Sequence, residues 1–488
     1  MWPKAVEAAS VRAVRVRAPT ALALAVALGA LAMWRASCVL AGADIDTDAY
    51  AHHMIARAIL SDPHDLAVHW VWLPLFHYVQ VPLVALGGTM ETVRWTNVAL
   101  AAALPVLLFF YVRRTARSGP SLMQPEATAL VAALLAAVCP IAMQMGTTAQ
   151  PEPLFALVML GVAIAFQEQR PGWTAALLAV AVMLRYEAWA ALAVVAGWAA
   201  WQRGRRGTWV TVAAPVAAIL VWAALRRPVD GAWFAFLRQT KEFANDATHA
   251  RFGVARDAAY YPVFVAWRVM GSALPLVPLG IVRTWRQQGA RFVLVLAACL
   301  GMISLSWITR SSLGLDRHFV CVIPLYATFA AQGVATAADA IARWTRRPGA
   351  ARHVAAVLAA ASMCGMGTQL YIWMGQWRAG VAFGWPDREA TAAFVRALPG
   401  EPVVFCDEAT LEIPTGLSWR RFDRHWVDDP HTWDLIDEAA GRNGPVYVAT
   451  WRRKLAGHEG PGREIVFAAG ADPQSPAASG FAVMRVER

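Results

Sequence analysis

The 488-residue sequence is poor in charged side chains. Charged residues make up 16% of the chain and hydrophobic residues 58%, whereas about 25% of the residues in average soluble proteins are charged. The mean hydropathy is +0.42. This composition excludes an ordinary soluble enzyme. Eleven long apolar stretches, at roughly 20 residues for each membrane crossing, account for about 220 residues and indicate a polytopic membrane protein.

The six cysteines form no recognisable framework. Cys406 stands alone in the more polar C-terminal region, and no pair has the spacing of a zinc motif. The His-Glu-x-x-His pattern of metalloproteases is also missing. These absences exclude a disulfide-stapled secreted domain and a compact metal motif. The other five cysteines lie in apolar stretches: Cys38, Cys139, Cys299, Cys321 and Cys364.

The net charge of +11 does not indicate a nucleic-acid partner. The arginines occur in short clusters between apolar runs, as expected when basic loops stay in the cytosol. Residues 1–18 are predicted to be a cytosolic N-terminus. The apolar run at 19–41 is too long for the core of a signal peptide and predicts an uncleaved first helix.

The first helix leads into an external loop at about residues 42–93. Within this loop, the apolar stretch 71–88 is short for a span, and its crossing would place the basic loop at 113–117 outside. We therefore predict that it lies on the outer surface. Ten further spans are predicted at 94–112, 127–146, 152–167, 173–184, 188–202, 208–225, 260–282, 292–309, 316–337 and 353–375.

This arrangement makes residues 19–375 one transmembrane domain and places the basic loops at 203–206, 283–291 and 343–352 in the cytosol. Residues 376–488 are more polar and alternate short apolar strands with helices. The predicted fold is thus an all-α polytopic membrane protein of about 11 transmembrane helices, followed by a small extracytoplasmic α/β domain.

The first external loop gathers groups that can carry chemistry. Five of the eleven histidines lie there, and three aspartates open it. Asp48 starts an amphipathic helix at residues 49–60, with an apolar face that we expect to rest on the membrane. A solvated interfacial loop explains the polar residues equally well, and Asp48 can serve simply as a helix N-cap. The histidines are His52, His53, His64, His69 and His77.

The order of three short motifs in this loop resembles that of a known family. Asp48, then Ile55-Ala-Arg57, then Trp72-Leu-Pro-Leu-Phe, resembles the first external loop of the C-type membrane glycosyltransferases. That superfamily includes protein O-mannosyltransferases, lipid A aminoarabinose transferases and the catalytic subunit of oligosaccharyltransferase. The resemblance implies that Asp48 is the catalytic base or the group that orients the acceptor, with His52 and His53 beside the substrate.

Two further segments match the same family. The segment Gly146-Thr-Thr-Ala-Gln-Pro-Glu152 resembles its second external loop, which gives Glu152 the place of an acidic site residue. Glu152 also suits a plain helix N-terminus, where a carboxylate meets the positive end of the helix dipole. The turn Leu184-Arg-Tyr-Glu187 resembles a short charged turn of the family. A local ion pair between Arg185 and Glu187 is the alternative there.

The segment Asp316-Arg317-His318 opens a late helix and resembles the family's Arg-Tyr-Leu-x-x-x-x-Pro pattern. A guanidinium suits a lipid-linked phosphate, because its planar fork donates paired hydrogen bonds to phosphate oxygens. Snorkelling of an arginine to the membrane interface is the alternative. The resemblance implies that Arg317 and His318 bind substrate, with Arg185 as a further phosphate contact.

Taken together, the resemblance covers roughly residues 20–335 and implies an inverting transfer from a polyprenyl-phosphate-linked sugar donor to an acceptor hydroxyl outside the membrane. Two departures leave the branch and the acceptor, whether protein, glycan or lipid, open. No Trp-Trp-Asp-Tyr-Gly signature occurs in the tail, which argues against an oligosaccharyltransferase. The Asp-Glu pair of the aminoarabinose and O-mannosyl branches reads Asp48-Ala49 here.

Other functions stay open at this stage. Asp48 and Glu152 are candidate ligands for a divalent cation, and no other cofactor is indicated. A secondary transporter is one rival, with Arg185, Glu187 and Asp48 in an ion pathway. A polysaccharide polymerase or ligase is another, which would depend on the loop at 226–259. The high content of Ala, Arg and Trp fits a bacterial plasma membrane with the site facing outside.

Overall fold

The computed structural model describes residues 17–116, 122–247, 253–383, 385–423, 427–469 and 480–487. Most of the predicted cytosolic N-terminus, together with Arg117 and His249, lies outside these ranges. The helices before the C-terminal sheet are α1 (Ala18–Leu40), α2 (Thr47–Ser61), α3 (Leu75–Ala85), α4 (Met90–Thr115), α5 (Pro125–Ala137), α6 (Pro140–Met145), α7 (Glu152–Gln167), α8 (Pro171–Leu184), α9 (Glu187–Asp230), α10 (Ala235–Ala247), α11 (Val254–Ala259), α12 (Ala266–Met270), α13 (Val277–Gln287), α14 (Ala290–Ile308), α15 (Ile323–Thr345), α16 (Pro348–Phe383) and α17 (Pro386–Arg396).

The chain is an integral, multi-pass membrane protein. Among the described residues, seven helical segments are long and apolar enough to cross a bilayer, and four shorter apolar helices accompany them. One predicted span is broken: residues 127–146 form α5 and α6, because Pro140 disfavours helical geometry at the residue before it. Another, 260–282, belongs to a longer segment in which π-helical and 3₁₀ turns join α11, α12 and α13.

The 44-residue helix α9 folds back on itself. Tyr186, at its start, donates a hydrogen bond to the carbonyl of Val71 at 2.8 Å, and Arg226, near its end, donates to the carbonyl of Trp70 at 3.2 Å. A straight helix would separate these two ends by about 59 Å at 1.5 Å per residue. The two arms of α9 are therefore antiparallel, as the separate predicted spans at 188–202 and 208–225 require.

The basic loops meet at one end of the helix bundle. Arg113 pairs with Glu126 at 2.7 Å, and Arg283 pairs with Asp339 at 2.6 Å. Arg291 donates to Gln202, at the far end of the first arm of α9, at 2.5 Å. The first external loop lies at the opposite end, against both ends of α9. The basic loops thus share one side, as the charge rule predicts.

Close helix contacts hold the later helices together. A Cβ placed on Gly280 of α13 would lie 1.8 Å from the carbonyl oxygen of Phe329 in α15, and one on Gly333 of α15 would lie 2.0 Å from the carbonyl oxygen of Leu276. Only glycine permits this approach. Small residues at such contacts are the usual means by which membrane helices pack closely.

The first external loop is compact rather than loose. It contains α2, a 3₁₀ turn at Leu66–His69 and α3. At 11 residues, α3 is about 16 Å long and too short to span a bilayer. The prediction that the apolar face of α2 rests on the membrane is wrong, because Met54, Ile55 and Ile59 are buried within the protein. The loop therefore packs onto the helices beneath it.

The C-terminal region forms a five-stranded sheet with the strand order β2-β1-β3-β5-β4. β1 is parallel to β2 and β3, whereas β5 is antiparallel to β3 and β4. The predicted α/β character is confirmed, although the two-residue β2 was not predicted. The strands are β1 (Val404–Phe405), β2 (Phe422–Asp423), β3 (Val446–Trp451), β4 (Arg463–Ala468) and β5 (Phe481–Val486), and the remaining helices are α18 (Ala409–Thr415), α19 (Pro430–Asn443) and α20 (Arg452–Leu455).

The sheet domain contacts the first external loop directly. Arg57 of α2 donates a hydrogen bond to the carbonyl of Leu417 at 2.7 Å. Arg388 of α17 lies over the ring of Tyr50, 4.8 Å from its centre. The loop is consequently held between the membrane helices on one side and the sheet domain on the other.

Candidate active site

A cavity of about 410 Å³ lies where the first external loop meets the membrane helices. We call it the network cavity, after the charged network in its wall. Its apolar side is formed by aromatic and aliphatic side chains of several helices, which suits a lipid chain more than a free sugar. Its lining includes Asp48, His52, Trp72, Phe76, Gln150, Arg185, Glu187, Trp189, Lys241, Phe243, Ile303, Leu313, Arg317 and His318.

Arg317 is the centre of the charged network. Its guanidinium lies 3.2 Å from a carboxylate oxygen of Asp46 and 3.6 Å from one of Glu152, and it donates a further hydrogen bond to Asp48. It is the second residue of the 3₁₀ turn Asp316–Val322, which leads into α15. Arginine suits this position because its fork of donors can bind several carboxylates at once.

Arg185 joins two more carboxylates to the network. It pairs with Glu152 at 2.5 Å and with Glu187 at 3.0 Å. The extended backbone of Arg185 ends α8, and Glu187 begins α9, so the turn between these helices brings the pair to the cavity. The local ion pair considered from the sequence is present, but Arg185 also reaches Glu152, 33 residues away.

The network carries more negative than positive charge. Asp46, Asp48, Glu152 and Glu187 bring four carboxylates to two guanidiniums, which leaves two negative charges in excess when all are ionised. Glu152 has only 2% of its side chain exposed, whereas Asp48 has 30% exposed. Asp48 is thus the carboxylate of this network that is most open to a substrate.

Asp46 and Asp44 set the direction of Asp48. The side chain of Asp46 accepts a hydrogen bond from the backbone N–H of Asp48 and caps α2, so Asp48 itself lies in the first turn of the helix and is not the N-cap. Asp44 accepts a hydrogen bond from the backbone of Ala149 at 2.8 Å. Gln150 donates to Asp46 at 2.8 Å. The two external loops are therefore tied together at the site.

Asp48 is ionised at neutral pH. Burial on its own would raise the pKa of its carboxyl, but the charge of Arg317 and the hydrogen bond from that guanidinium outweigh burial and lower the pKa below its ordinary value. An ionised carboxylate is an acceptor only, so Asp48 can receive a hydrogen bond from an incoming hydroxyl group.

His52 and His318 complete the polar wall. Burial lowers the pKa of His52 to about 3, so its ring is neutral at physiological pH. The Nδ1 atom of His318 lies 3.3 Å from the hydroxyl of Ser312 and 3.4 Å from that of Tyr261. Both histidines, which were predicted from the sequence to bind substrate, line the network cavity.

His53 lies elsewhere. It faces a second cavity of about 1000 Å³ on the other side of α2, between the first external loop and the sheet domain. We call this the interdomain cavity. Of the residues predicted to bind substrate, His53 is the one that the structure separates from the others. The wall of the interdomain cavity includes Asp44, Tyr50, His53, Arg57, Glu91, Arg94, Arg388 and Arg396.

The two candidate metal ligands do not form a cation cage. Asp48 and Glu152 both bind the Arg317 guanidinium, which lies between them. Within the ranges that the structure describes, no group of three His, Cys, Asp or Glu side chains is placed to hold a metal ion. The donor set of this site is that of an ion-pair network and does not fit a divalent cation as it stands.

Sequence reasoning missed several site residues. Asp46 is one of the three aspartates that open the first external loop, and Gln150 stands within the segment from Gly146 to Glu152, but nothing in their spacing separates them from neighbouring polar residues. Lys241 and Phe243 reach the cavity from α10, in the loop that was considered only for the rival polymerase function. The strong amphipathic pattern of α10 was the available signal, since such a helix must cover something apolar.

The fold and the site define a multi-pass membrane protein with a charged cavity under a packed external loop. The chain shares its fold with ArnT from Cupriavidus metallidurans bound to undecaprenyl phosphate. The TM-score is 0.61 at 14% identity, over 96% of this chain and 98% of that one. The apo state of the same ArnT gives a TM-score of 0.58 at 16% identity, over 95% and 98% of the two chains.

The Archaeoglobus fulgidus oligosaccharyltransferase, tethered to an acceptor peptide, also shares the fold. Its TM-score is 0.50 at 11% identity, over 88% of this chain and 69% of that chain. No protein-family model and no curated protein sequence matches the chain. The likeness is therefore one of three-dimensional structure, and it confirms the fold that the sequence motifs imply.

Proposed function

We propose that this protein is a membrane glycosyltransferase that moves a sugar from a polyprenyl-phosphate-linked donor to an acceptor hydroxyl group on the extracytoplasmic face. The observation that carries the proposal is the convergence of Asp48, Arg185 and Arg317 on one cavity with an apolar side. A lipid-linked phosphate needs cations and apolar walls together. The shared fold with ArnT bound to undecaprenyl phosphate supports the same donor class.

In the proposed reaction, the Asp48 carboxylate accepts the proton of the acceptor hydroxyl group as the oxygen attacks the anomeric carbon. The bond from that carbon to the phosphate oxygen breaks, and the polyprenyl phosphate leaves with the bonding electrons. The attack and the departure occur on opposite faces, so the anomeric configuration inverts. General-base assistance of this kind contributes typically about 10²–10⁴-fold in rate.

The donor phosphate must find cations in a site that already holds excess negative charge. Arg317 donates hydrogen bonds to Asp46 and Asp48 and forms an ion pair with Glu152 at 3.6 Å, so a phosphate has to displace one of these carboxylates. Asp48 is the most exposed of these carboxylates, so a phosphate can replace it beside Arg317 at the least desolvation cost. Lys241, in the cavity wall on α10, supplies a further positive charge. Donor binding then frees Asp48 to meet the acceptor.

The rival functions receive less support. A transporter pathway needs charged groups that a solute can pass, whereas Glu152 and Arg185 are locked together at 2.5 Å. A lipid-linked polymerase or ligase shares the donor chemistry, and the contact of α10 with the cavity is the observation in its favour. The polymerase or ligase function would be favoured by a variant of α10 that still transfers sugar to a short acceptor, a reaction that depends on Asp48, but no longer transfers sugar to a long one.

The proposal includes a location. With the basic loop ends in the cytosol, the network cavity opens toward the outer side of a plasma membrane, and the bacterial inner membrane is the setting that the composition favours. The bilayer itself supplies the lipid donor laterally. The proposed acceptor is a protein, a glycan or another lipid that presents a hydroxyl group.

The test is release or transfer of labelled sugar from a panel of polyprenyl-phosphate sugars by purified protein, with membrane extract as the acceptor source. Asp48→Asn and Arg317→Ala are measured beside the wild type, together with Asp62→Asn as a matched control. Asp62 is an exposed aspartate of the same loop and lies outside both cavities. Thermal unfolding verifies that each variant is folded.

We expect the wild type and Asp62→Asn to consume one donor of the panel. Asp48→Asn should lose about 10²–10⁴-fold in turnover while still binding polyprenyl phosphate. Its donor affinity should not fall, because a negative charge has been removed from beside the phosphate. Absence of donor consumption by the wild type with every sugar and acceptor source would contradict the proposed function.

A further inference from the structure

Three histidines form a hydrogen-bonded chain that ends at the network cavity. His52 Nδ1 lies 2.8 Å from His77 Nε2, and His77 Nδ1 lies 2.8 Å from His69 Nδ1. The chain joins α2, α3 and the 3₁₀ turn between them. All three rings are buried, and only His52 lines the network cavity.

The hydrogen-bonded chain of three histidines is electrically neutral. Burial lowers the pKa of His52 and of His69 to about 3, and burial with the two neighbouring histidines lowers that of His77 as well. Three neutral imidazoles carry three N–H groups, one each. Two of these protons fill the two hydrogen bonds of the chain. The third must therefore stand at one end, on His52 Nε2 or on His69 Nε2.

The two ends are not equivalent. His69 Nε2 is buried and has no hydrogen-bond partner among the residues that the structure describes. An orphaned N–H there is costly, and the nearby positive charge of Arg226 disfavours a second donor beside it. At His52, one helical turn after Asp48, the negative charge of Asp48 and a side-chain hydrogen bond with Gln150 favour a donor, against the positive charges of Arg317 and Arg185. The conditions at both ends of the histidine chain therefore favour the third proton on His52 Nε2.

We propose that His77 and His69 are positioning residues that hold His52 as the Nε2–H tautomer, so that its N–H faces the network cavity beside Asp48. His77 donates from Nε2 to His52 Nδ1, and His69 donates from Nδ1 to His77 Nδ1. The His52 N–H is then a fixed donor in the wall of the network cavity, where Asp48 is the base of the proposed function. The inference rests on that function only for its catalytic consequence.

The chain does not serve as a proton wire. Its inner end stops at His69, against the ring of Trp222 at 5.0 Å between ring centres, and His69 is fully buried. A proton that entered at His52 would find no acceptor beyond His69. The chain therefore fixes a tautomer and a ring orientation, which is the task that buried partners of functional histidines commonly perform.

The first measurement is independent of activity. Nitrogen-15 NMR of the full-length protein with labelled histidine distinguishes protonated from bare ring nitrogens, and His52 is assigned by its loss in His52→Gln. We expect a protonated Nε2 and a bare, hydrogen-bonded Nδ1 on His52. A bare Nε2 on His52 in the wild type would overturn the proposal, whether or not sugar transfer is found.

The second measurement compares His77→Phe with His77→Gln. Phenylalanine keeps the ring volume and removes the donor, whereas glutamine keeps an amide N–H for His52 Nδ1. We expect His77→Phe to lower kcat on the order of 10-fold, with the affinity for polyprenyl phosphate unchanged, and His77→Gln to recover most of the loss. In His77→Phe, the NMR signals of His52 should show both tautomers.

A purely structural role predicts a different pattern. Equal losses of kcat, donor affinity and thermal stability in both variants, with one unchanged tautomer of His52, would overturn the proposal. Failure of the wild type to transfer sugar, with His52 as the Nε2–H tautomer, would contradict the proposed function and leave the positioning chain supported. The two failures are thus distinguishable.

Discussion

The two cavities on opposite sides of α2 differ in whether their buried arginines are paired with carboxylates. In the network cavity, Arg317 and Arg185 each bind two or more carboxylates. In the interdomain cavity, Arg388 is fully buried, and within the described part of the chain its three side-chain nitrogens have no partner at hydrogen-bond geometry. It is stacked on the rings of Tyr50 and Trp385 instead. One helix thus separates a paired network from a stacked, unpaired cation.

This difference shows that a buried arginine does not by itself indicate a catalytic site. Paired guanidiniums hold carboxylates in fixed positions from which a substrate phosphate can displace them. A guanidinium held by aromatic rings gains about 2 kcal/mol from the contact when it is desolvated. Its role is to join the sheet domain to the first external loop. The functional site is recognised by the pairing pattern.

The largest expected effect comes from removing one arginine from each cavity. Arg317→Met leaves Asp46, Asp48 and Glu152 without their shared cation, and breaking a buried pair in this way costs roughly 3–5 kcal/mol. Arg388→Met loses the ring contacts but relieves an unsatisfied guanidinium, which is worth roughly 1–3 kcal/mol. We expect its net change to be under about 1 kcal/mol. Thermal unfolding in detergent measures both.

Equal destabilisation by Arg317→Met and Arg388→Met would contradict the difference between the two arginines. It would mean that the stacked Arg388 contributes as much as the whole ion-pair network. Arg396→Met provides a control for the loss of an arginine in the same wall of the interdomain cavity. Arg396 donates to the carbonyl of Thr415 at 2.8 Å and is exposed to solvent.

A smaller effect is expected from the adjacent histidines. His52 and His53 share burial and lowered pKa values, but they line different cavities. We expect His52→Gln to reduce turnover on the order of 10-fold, because it loses the ring beside Asp48. His53→Gln should leave turnover within about twofold, since its ring does not reach the network. Steady-state transfer rates measure the ratio.

A comparable loss of turnover in His53→Gln would sink the assignment of the two faces. It would indicate that the interdomain cavity takes part in the chemistry. Donor affinity should stay unchanged in both variants, because neither substitution removes a cation from the network cavity.

Most of the fold followed from the sequence because apolar length is a strong and local signal. The span at 292–309 corresponds to α14, and the alternation of short strands and helices expected in residues 376–488 is found there. The break at Pro140 was foreseeable from proline geometry alone. The burial of Ile55 and Ile59 was not, because an apolar face can rest on a membrane or on protein, and the sequence does not distinguish them.

The candidate site residues were predicted from short motifs that resemble a known family, and some of them also stand out as charges against an apolar background. Arg185, Glu187 and Arg317 are conspicuous because charge near membrane depth is costly. Their partners were harder to foresee. Arg317 meets Asp46 across 271 residues, and no spacing rule predicts such a contact. His52 and His53 are neighbours in the chain, and only the rotation of α2 decides which of them joins the site.

The smallest expected effect concerns the aspartates at the two ends of the same turn. Burial raises the pKa of Asp44 to about 6, in spite of Arg94, whereas Arg317 holds that of Asp48 below its ordinary value. Between pH values of about 4 and 6, the folded protein therefore keeps a proton on Asp44 that the unfolded chain releases. The stability contributed by Asp44 is lost as the pH rises through this window, at no more than about 1.4 kcal/mol per pH unit.

Asp48 has the opposite sign, because its contribution is present above the ordinary aspartate pKa and is lost as the pH falls through its lowered value. Thermal unfolding of the wild type, Asp44→Asn and Asp48→Asn from pH 3 to pH 8 separates the two. Asp44→Asn should remove a decline in stability between about pH 4 and 6, and Asp48→Asn should alter only the acid limb below about pH 4. If Asp44→Asn leaves the slope between pH 4 and 6 unchanged, its carboxyl is ionised in the folded state, and the two sides of α2 do not differ in charge as argued.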